Sequence, residues 1–251
     1  MHLGDRIFYG SLRALGLGVL VLLLGIAAQL VFLALPAIHK FGLGFFVSLD
    51  WDPVNESYGA LAFIFGTLVS SLLALLISVP ISVGIALFLN ELAPRRVAGA
   101  IGFLVEMLAA IPSVIFGLWG IFVLAPWLRT DVEPFLASYF GFLPFFQGPP
   151  YGVGMLAAGI ILAIMITPTI SAISREVFRA IPLSQREAAL ALGATRWETI
   201  SMSVLKSSRS GILGAVILGL GRALGETMAV TMVIGNRIDI SSSLFSPAQT
   251  M

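Results

Sequence analysis

The sequence predicts an all-α, polytopic membrane protein folded as a bundle of transmembrane helices. Of its 251 residues, 58% are hydrophobic and only 11% are charged, whereas about 25% of a typical soluble domain is charged. Apolar runs also recur along the chain, and each reaches the roughly 20 residues that a spanning helix needs. The segments between these runs differ in their content of basic residues, as the alternating loops of a multi-pass protein do.

Five apolar runs are expected to cross the membrane, at residues 12–36, 61–89, 98–126, 152–174 and 210–235. The first follows two arginines, as the core of a signal peptide would. Because this run is about 25 residues long, against the 7–15 of such a core, we interpret it as a retained span. The fifth is followed by a polar tail, SSSLFSPAQTM. A sixth span is expected beyond that tail, so the sequence is interpreted as truncated at its C-terminus.

The distribution of basic residues orients the spans. With the N-terminus in the cytoplasm, the inner segments contain ten Arg and Lys residues and the outer segments contain three, Lys40, Arg129 and Arg237. An excess of basic residues marks the cytoplasmic side, so the N-terminus is predicted to be cytoplasmic. The outer segments collect acidic residues instead: Asp50, Asp52, Glu56, Asp131, Glu133 and Asp239.

Three prolines fall inside apolar runs: Pro80, Pro112 and Pro168. A proline inside a helix removes one backbone hydrogen bond and clashes with the preceding turn. Kinks or breaks are therefore expected at these positions, although prolines are also simply commoner in membrane helices than in soluble ones.

Between the fourth and fifth runs lies a polar segment, LSQREAALALGATRWETI, which we call the polar connector (residues 183–200). Ser184 with Glu187, and Thr195 with Glu198, match the S/T-x-x-E capping box that begins a helix. Gly193 lies where a helix commonly ends in the left-handed conformation. The pattern predicts a short helix, a glycine turn and a second helix.

Three roles are open to the polar connector. A plain solvated link is disfavoured, because about 35 residues join the fourth and fifth runs, whereas the median length of a connection between helices or strands is about 4–6 residues. A DNA-binding helix-turn-helix needs a basic recognition face, and here Glu187 and Glu198 offset Arg186 and Arg196. No nucleic acid is therefore expected as a partner, which leaves docking to a protein.

The side chains of the polar connector suit protein docking. Ala188, Ala189 and Gly193 form a small face that another surface can approach closely. Trp197 adds an aromatic anchor of the kind found at interface centres.

Three ionisable residues fall within the predicted spans: Glu106, Arg222 and Glu226. A charge at mid-bilayer costs about 2.5–3.5 kcal/mol on insertion scales, so each residue should have a partner or line a wet cavity. For Glu106 we expect snorkelling or a structural hydrogen bond. Arg222 and Glu226, four residues apart, share one helix face. Composition leaves open whether they form an ion pair that merely allows insertion, or line a pathway in which the arginine fork binds a passing oxyanion.

Hydroxyl groups beside two of the prolines are further candidates for such a pathway. Ser113 adjoins Pro112, and Thr167 and Thr169 flank Pro168. A hydroxyl at a disturbed helix can face a passing anion. For each of the three, a bond to its own helix backbone is the favoured alternative.

The polar connector resembles the EAA loop of the permease subunits of bacterial ABC importers. The resemblance rests on Glu187, Ala188 and Ala189, followed by Gly193 and Ile200. In that family the loop is a coupling helix that fits a cleft on the ATPase subunit.

Two further segments resemble one branch of that family. GRALGETMAVTMVIGN, residues 221–236, is similar to the signature of high-affinity phosphate importer permeases, of the PstC type rather than the PstA type. IPSVIFGLWG, residues 111–120, is similar to another stretch of the same permeases. With the polar connector, the likeness covers most of residues 61–240.

The resemblance implies the MetI-like, type I ABC-importer permease fold. Residues 61–251 would form its core, including a cytoplasmic coupling loop at 175–207, and residues 1–60 an N-terminal span with an extracytoplasmic segment. Phosphate would cross the bacterial inner membrane past Arg222 and Glu226. The residues expected to couple the chain to the ATPase are Glu187, Ala188, Ala189, Gly193 and Trp197.

The implied partners are a homologous PstA-type permease, two ATPase subunits, an extracytoplasmic phosphate-binding protein that meets the outer acidic segments, and membrane lipid. The chain has no G-x-x-x-x-G-K-[ST] motif, since neither of its lysines, Lys40 and Lys206, follows a glycine. It is therefore expected to be a transport subunit and not an enzyme, with no cofactor of its own and ATP with Mg²⁺ in the partner. No cysteine and only two distant histidines are present, so no metal site is expected.

Other functions stay open. A related importer could carry molybdate, sulfate or phosphonate, and a membrane sensor could use the same inner helices to signal without moving a solute. A transporter driven by an ion gradient is a third alternative, which the coupling-type connector disfavours. A sensor has little use for an anion site in the membrane, so the behaviour of Arg222 separates it from a permease.

Overall fold

The computed structural model describes residues 3–251, with side chains from residue 4 onward. It divides into two compact units, Met1–Ala60 and Leu61–Met251. The helices are α1 Leu3–Phe41, α2 Leu61–Leu87, α3 Arg95–Ala110, α4 Ser113–Trp119, α5 Ala125–Trp127, α6 Glu133–Phe140, α7 Met155–Arg179, α8 Leu183–Ala191, α9 Arg196–Thr199, α10 Arg209–Leu224 and α11 Met228–Val233, and the strands are β1 Trp51–Asp52 and β2 Ser57–Tyr58.

Several helices continue into π-helical turns. These turns follow α2 at Phe88–Leu92, join α4, α5 and α6 at Gly120–Leu124 and Leu128–Val132, and extend α9 at Ile200–Leu205. Within the described residues, four helical segments are long and apolar enough to cross a membrane. A fifth is obtained if residues 196–205 and 209–224, bent by 67°, count as one broken span.

The predicted third span, 98–126, is wrong. The chain forms α3 up to Ala110, breaks, and begins the long helical segment Ser113–Phe140 afterwards. Pro112 accounts for the break, because it has no N–H to continue the helical ladder and its ring disfavours a helical conformation for the preceding residue. Ile111 is accordingly extended, and Pro112 itself has a ψ of 139°. Glu106 therefore lies on α3, outside the candidate spans.

Kinks or breaks were expected at the other two prolines, and no break occurs there. Pro80 and Pro168 lie inside continuous helices, α2 and α7. Neighbouring helices and hydroxyl side chains let a membrane helix tolerate proline. Ser78 and Ser82 provide such hydroxyls where α2 meets α7, through bonds to Thr167.

The predicted fifth span, 210–235, is also interrupted. α10 ends at Leu224 and α11 begins at Met228. Between them, Glu226 turns its carboxylate to the start of α11 and accepts a hydrogen bond from the Ala229 N–H at 3.1 Å. The glutamate thus begins a new helix, which sequence periodicity did not reveal.

In the first unit, α1 is followed by a short antiparallel hairpin, in which Trp51 pairs with Tyr58. Their rings meet edge to face with centroids 5.0 Å apart. Asp52 closes the hairpin turn, because its carboxylate accepts hydrogen bonds from the Asn55 side chain and from the Val54 and Asn55 backbones, and these bonds lower the pKa of Asp52.

The second unit is built around the contact between α2 and α7. Small residues recur at every fourth position of α2 and are all buried, so the two helix backbones can approach closely, as in other membrane helix pairs. This ladder, which sequence inspection overlooked, consists of Ala62, Gly66, Ser70, Ala74, Ser78, Ser82 and Ala86. On the facing helix, Gly159 accommodates Leu73, since a Cβ there would lie 2.5 Å from the leucine Cδ2.

Enlarging one rung of the ladder is expected to destabilise the second unit. Ala74 is fully buried, and its replacement by leucine overpacks the interface at a cost of about 1–3 kcal/mol. The thermal unfolding midpoint of the purified chain in detergent should fall. The reverse change on the opposite face, Leu76→Ala, removes an exposed side chain and should leave the midpoint nearly unchanged; equal shifts in the two variants would contradict the ladder's role.

The polar tail packs onto the start of α7. The Met155 and Leu156 N–H groups donate to the carbonyls of Ser246 and Leu244, at 3.3 and 2.9 Å. Two of the N–H groups that a helix leaves unpaired at its start are thereby satisfied. Phe245, between the two acceptors, is fully buried in the core.

Candidate functional site

Arg222 lies in the last turn of α10, and its guanidinium is exposed on the chain. Its Nη1 donates to the Thr169 hydroxyl of α7 at 3.1 Å. Among the described residues no carboxylate lies within ion-pairing distance of Arg222. A cation bound only by a neutral hydroxyl keeps most of its donors available to another acceptor.

The intrahelical ion pair between Arg222 and Glu226 is absent. The two residues belong to different helical segments, since α10 ends at Leu224. Glu226 is half-buried, and one of its oxygens is bonded to the Ala229 backbone. The interpretation of Arg222 and Glu226 as an intrahelical ion pair is therefore wrong. Their role in a solute pathway stays a prediction.

The two signature segments pack against each other. α4, within residues 111–120, lies against α11, within residues 221–236. The contact is close at Gly117, where a Cβ would lie 2.6 Å from the Met232 sulfur and 3.2 Å from the Ala229 Cα. Each segment follows a break in a helix. Discontinuous helices that meet within the membrane are common features of solute sites in transporters.

The three candidate hydroxyls have different surroundings. Thr169 faces Arg222, as described above. Thr167 donates to the Ala163 carbonyl at 2.7 Å and lies 2.9 Å from the Ser78 hydroxyl, so it belongs to the α2–α7 contact. Ser113 is half-buried at the first position of α4 and has no hydrogen-bond partner within residues 4–251. The backbone alternative is thus confirmed for Thr167 alone.

Glu106 is exposed on α3 and lines a cleft of about 410 Å³ together with Arg175 and Glu176 of α7. Within the described part of the chain it has no hydrogen-bond or ion-pair partner, so the structural hydrogen bond expected from the sequence is not formed. Arg175 lies against α3 at Gly102, where a Cβ would come within 2.6 Å of its Nη1.

The first helix of the polar connector begins differently from the prediction. Pro182 holds the N-cap position with φ at −57° and ψ at 140°, and makes no side-chain cap. Ser184 therefore lies inside α8, two residues after the N-cap position. The predicted capping box between Ser184 and Glu187 is wrong, because the fixed backbone of the proline starts the helix at Leu183.

The glycine turn and the second helix start are confirmed. Gly193 has a φ of +85°, and the Ala194 and Gly193 N–H groups donate back to the Ala189 and Leu190 carbonyls at 3.1 and 2.9 Å. These two bonds define the Schellman ending of a helix. Thr195 then caps α9.

The second capping box is complete. The Thr195 hydroxyl accepts from the Glu198 N–H, and the Glu198 carboxylate accepts from the Thr195 N–H at 2.7 Å. The box fixes the first turn of α9, on which Trp197 lies.

The polar connector presents an unusual amount of apolar surface. Leu192 is 89% exposed and Trp197 is 67% exposed. Glu187, Ala188 and Gly193 are also exposed, whereas Ala189 is half-buried. Large apolar side chains left exposed on a polar segment are candidates for contact with a partner protein.

Sequence reasoning missed the attachment of the polar connector to the helix bundle. From the sequence, Arg186 was considered only as a positive charge offset by nearby glutamates. In the structure it donates to the Glu91 carboxylate at 2.8 Å, and the two side chains are largely buried, at 17% and 13% exposure. Glu91 lies 95 residues earlier in the chain, so no local pattern connects the pair. The one signal of this contact in the sequence was Glu91 itself, an acidic residue at the polar end of an otherwise apolar run.

One of the outer acidic residues is not available to a partner. Glu133 is 1% exposed, inside the segment Ser113–Phe140. Its carboxylate accepts a hydrogen bond from the Gly152 N–H at 3.0 Å. Glu133 therefore holds the turn before α7, and its inclusion among the contact candidates is wrong.

Residues 78–249 match the family described as "Binding-protein-dependent transport system inner membrane component". The chain is 50% identical to the phosphate transport system permease protein PstC of Mesorhizobium japonicum, over 99% of this chain and 77% of the relative. It is 46% identical to the PstC of Pasteurella multocida, over 100% and 79%, and 40% identical to the probable PstC of Methanocaldococcus jannaschii, over 93% and 75%. With a family match over most of its length, the chain belongs to the inner membrane components of binding-protein-dependent transport systems.

Proposed function

We propose that this chain is the transmembrane permease subunit of an ATP-driven importer of inorganic phosphate. Its relatives in bacteria and in Methanocaldococcus carry names that specify phosphate transport. Its membrane helices and the type I permease fold of its family agree with a subunit that conducts a solute.

The observation that carries the proposal is the environment of Arg222. A guanidinium that belongs to an exposed residue of α10 and is bonded, within the described part of the chain, only to Thr169 cannot face hydrocarbon without a large free-energy cost. It must instead meet water or a polar partner. The planar fork of an arginine suits a phosphate oxyanion, which accepts two parallel hydrogen bonds.

Glu226 limits how firmly such an anion is held. Its second oxygen does not take part in the Ala229 bond, and Glu226 follows Arg222 by four residues, just after the end of α10. A transported ion must leave as well as bind. A cation alone would trap a phosphate, whereas a nearby carboxylate weakens the attraction.

The exposed polar connector supports coupling to a separate ATPase. In the proposed assembly this chain pairs with a homologous permease, sits on two ATPase subunits that hold ATP and Mg²⁺, and receives phosphate from an extracytoplasmic binding protein. The N-terminus and the polar connector then lie in the cytoplasm of a bacterial cell. ATP-driven movement at Trp197 and its neighbours would change which side of the membrane Arg222 faces, in an alternating-access cycle.

Uptake into liposomes tests the proposal. The chain is purified with the subunits that accompany it and reconstituted with the binding protein outside and ATP inside. Labelled phosphate should accumulate only with ATP, and excess unlabelled phosphate should compete whereas sulfate and molybdate should not. Strong competition by molybdate or sulfate would assign a different oxyanion. A complex without ATP hydrolysis or uptake would instead favour a sensor.

A further inference from the structure

Arg186 bonds the polar connector to the helix bundle at three points. Arg186, in the first turns of α8, donates through Nη2 to the Glu91 carboxylate at 2.8 Å and to the Phe178 carbonyl at 2.9 Å. Its Nη1 donates to the Ile181 carbonyl at 3.2 Å. One side chain therefore contacts the end of α2, the end of α7 and the link between α7 and α8.

Glu91 is held in place from several directions. It lies in the π-helical turn after α2, where the Ala93 N–H donates to the Phe88 carbonyl. The Asn90 amide donates to the same carboxylate oxygen as Arg186, at 2.7 Å. From α9, the Arg196 guanidinium donates to the Glu91 carbonyl at 3.3 Å. Both helices of the polar connector thus bond to one residue in the turn that follows α2.

An apolar cluster lies beneath these polar contacts. It joins α2, α7 and the segment that follows α9 through four buried side chains: Ala86, Phe178, Ile181 and Val204. Two of its residues, Phe178 and Ile181, also accept the backbone hydrogen bonds of Arg186, and the ion pair itself is largely buried. Electrostatic interactions strengthen as water is excluded, so the geometry of this pair is fixed more firmly than that of a surface ion pair.

The same helix that receives Arg186 also positions Arg222. α7 is continuous from Met155 to Arg179, and Thr169, which bonds Arg222, precedes Phe178 by nine residues, about 14 Å along the helix axis. The bonds of Ser78 and Ser82 to Thr167 hold α2 to α7 at the same level. A displacement of the polar connector can therefore be transmitted to Arg222 through residues that pack against one another.

We propose that the Glu91–Arg186 pair is the joint that transmits movement of the polar connector to α2 and α7. This inference rests on the proposed function and adds to it a pair of positioning residues that touch neither phosphate nor ATP. Without the joint, the ATPase would still bind and move the connector, but the helices that hold Arg222 would no longer follow it. Hydrolysis would continue with little transport.

The expected result for Arg186→Gln is a fall of about tenfold in phosphate transported per ATP hydrolysed, within the range of ordinary coupling energies. Co-purification of the ATPase should be unchanged. Arg186→Lys keeps the charge but loses the fork, and should give an intermediate ratio. Because a merely destabilised permease would lose transport and hydrolysis together, the ratio separates a joint from a general structural role.

The chain offers a matched control. Arg179 pairs with Glu176 at the same end of α7 and at the same 2.8 Å distance, but both side chains are exposed and belong to one helix. Arg179→Gln should therefore keep the parental ratio. An equal loss in Arg179→Gln, or a parental ratio in Arg186→Gln, would overturn the proposal.

A second measurement does not depend on the solute. The sequence contains no cysteine, so spin labels can be attached at Leu183→Cys on the connector, outside the residues assigned to ATPase docking, and at Leu218→Cys on α10, both at exposed positions. With the joint intact, the distance between the two labels should change little when ATP is added to the complex, because the connector and the bundle move together. In Arg186→Gln, the distribution of label distances should broaden or shift when ATP is added. If the parental complex transports no phosphate, the proposed function fails and the label distances still decide the joint. Identical distances in both proteins would reject it.

Discussion

Replacing Arg222 with glutamine is expected to reduce ATP-dependent phosphate uptake by roughly 100-fold, the loss anticipated when two charge-assisted hydrogen bonds, together worth about 3 kcal/mol, disappear. Glutamine retains a polar amide group, but its side chain is shorter than that of arginine and has neither the positive charge nor the fork. The measurement is initial uptake of labelled phosphate into liposomes containing the assembled complex. Assembly should be unaffected, because Arg222 is exposed and bonded to Thr169 alone.

Two variants separate anion binding from other effects of removing a charge. Arg222→Lys keeps the charge as a point donor and should retain part of the uptake. Arg209, the first residue of α10, is also exposed, and Arg209→Gln should leave uptake close to that of the parent. Unimpaired uptake in Arg222→Gln would contradict the proposal that phosphate binds Arg222 as it crosses the membrane.

The absence of an Arg222–Glu226 ion pair makes this test more decisive. Removing one member of a buried pair would leave an uncompensated charge, and a severe defect would then follow from misfolding alone. Because Glu226 is bonded to the backbone of α11, the loss of Arg222 leaves no carboxylate without its partner. A transport defect in a correctly assembled complex can therefore be attributed to the pathway.

Composition was sufficient to predict a helix in this protein wherever the helix coincides with a single apolar run. The runs at 61–89 and 152–174 correspond to α2 and α7, because each is flanked by polar or glycine-rich segments. The third and fifth runs were misplaced, because apolar residues continue on both sides of Pro112 and of Glu226. In both cases a local backbone event ends a helix without any change in hydropathy.

The polar connector was predicted more completely than its attachment. The turn at Gly193 and the box at Thr195 depend on neighbours within a few residues, which a sequence displays directly. The bond between Arg186 and Glu91 joins positions 95 residues apart, and only the packing of α7 between them brings the two together. The small-residue ladder of α2 was visible as a period of four, but hydropathy scanning is insensitive to residue size.

A second large effect is expected for Trp197→Ala, which should weaken binding of the ATPase to the membrane complex by about 30-fold, the equivalent of a 2 kcal/mol interface anchor. Trp197 is 67% exposed, beside Leu192 at 89%, so this chain alone does not bury either side chain. Exposing two large apolar groups to water is unfavourable unless a partner covers them.

Local unfolding does not explain a loss of binding in Trp197→Ala, because alanine favours a helix and the capping box of Thr195 and Glu198 does not involve the indole. The dissociation constant of the purified ATPase from nanodisc-embedded complex is the quantity to measure. Trp127→Ala provides the matched control, since Trp127 is 55% exposed but lies on α5, away from the connector. Unchanged affinity in Trp197→Ala, or an equal loss in Trp127→Ala, would show that the ATPase docks elsewhere. A selective loss would place the site where ATP-driven movement enters this chain on α9, adjacent to the residues that bond Glu91.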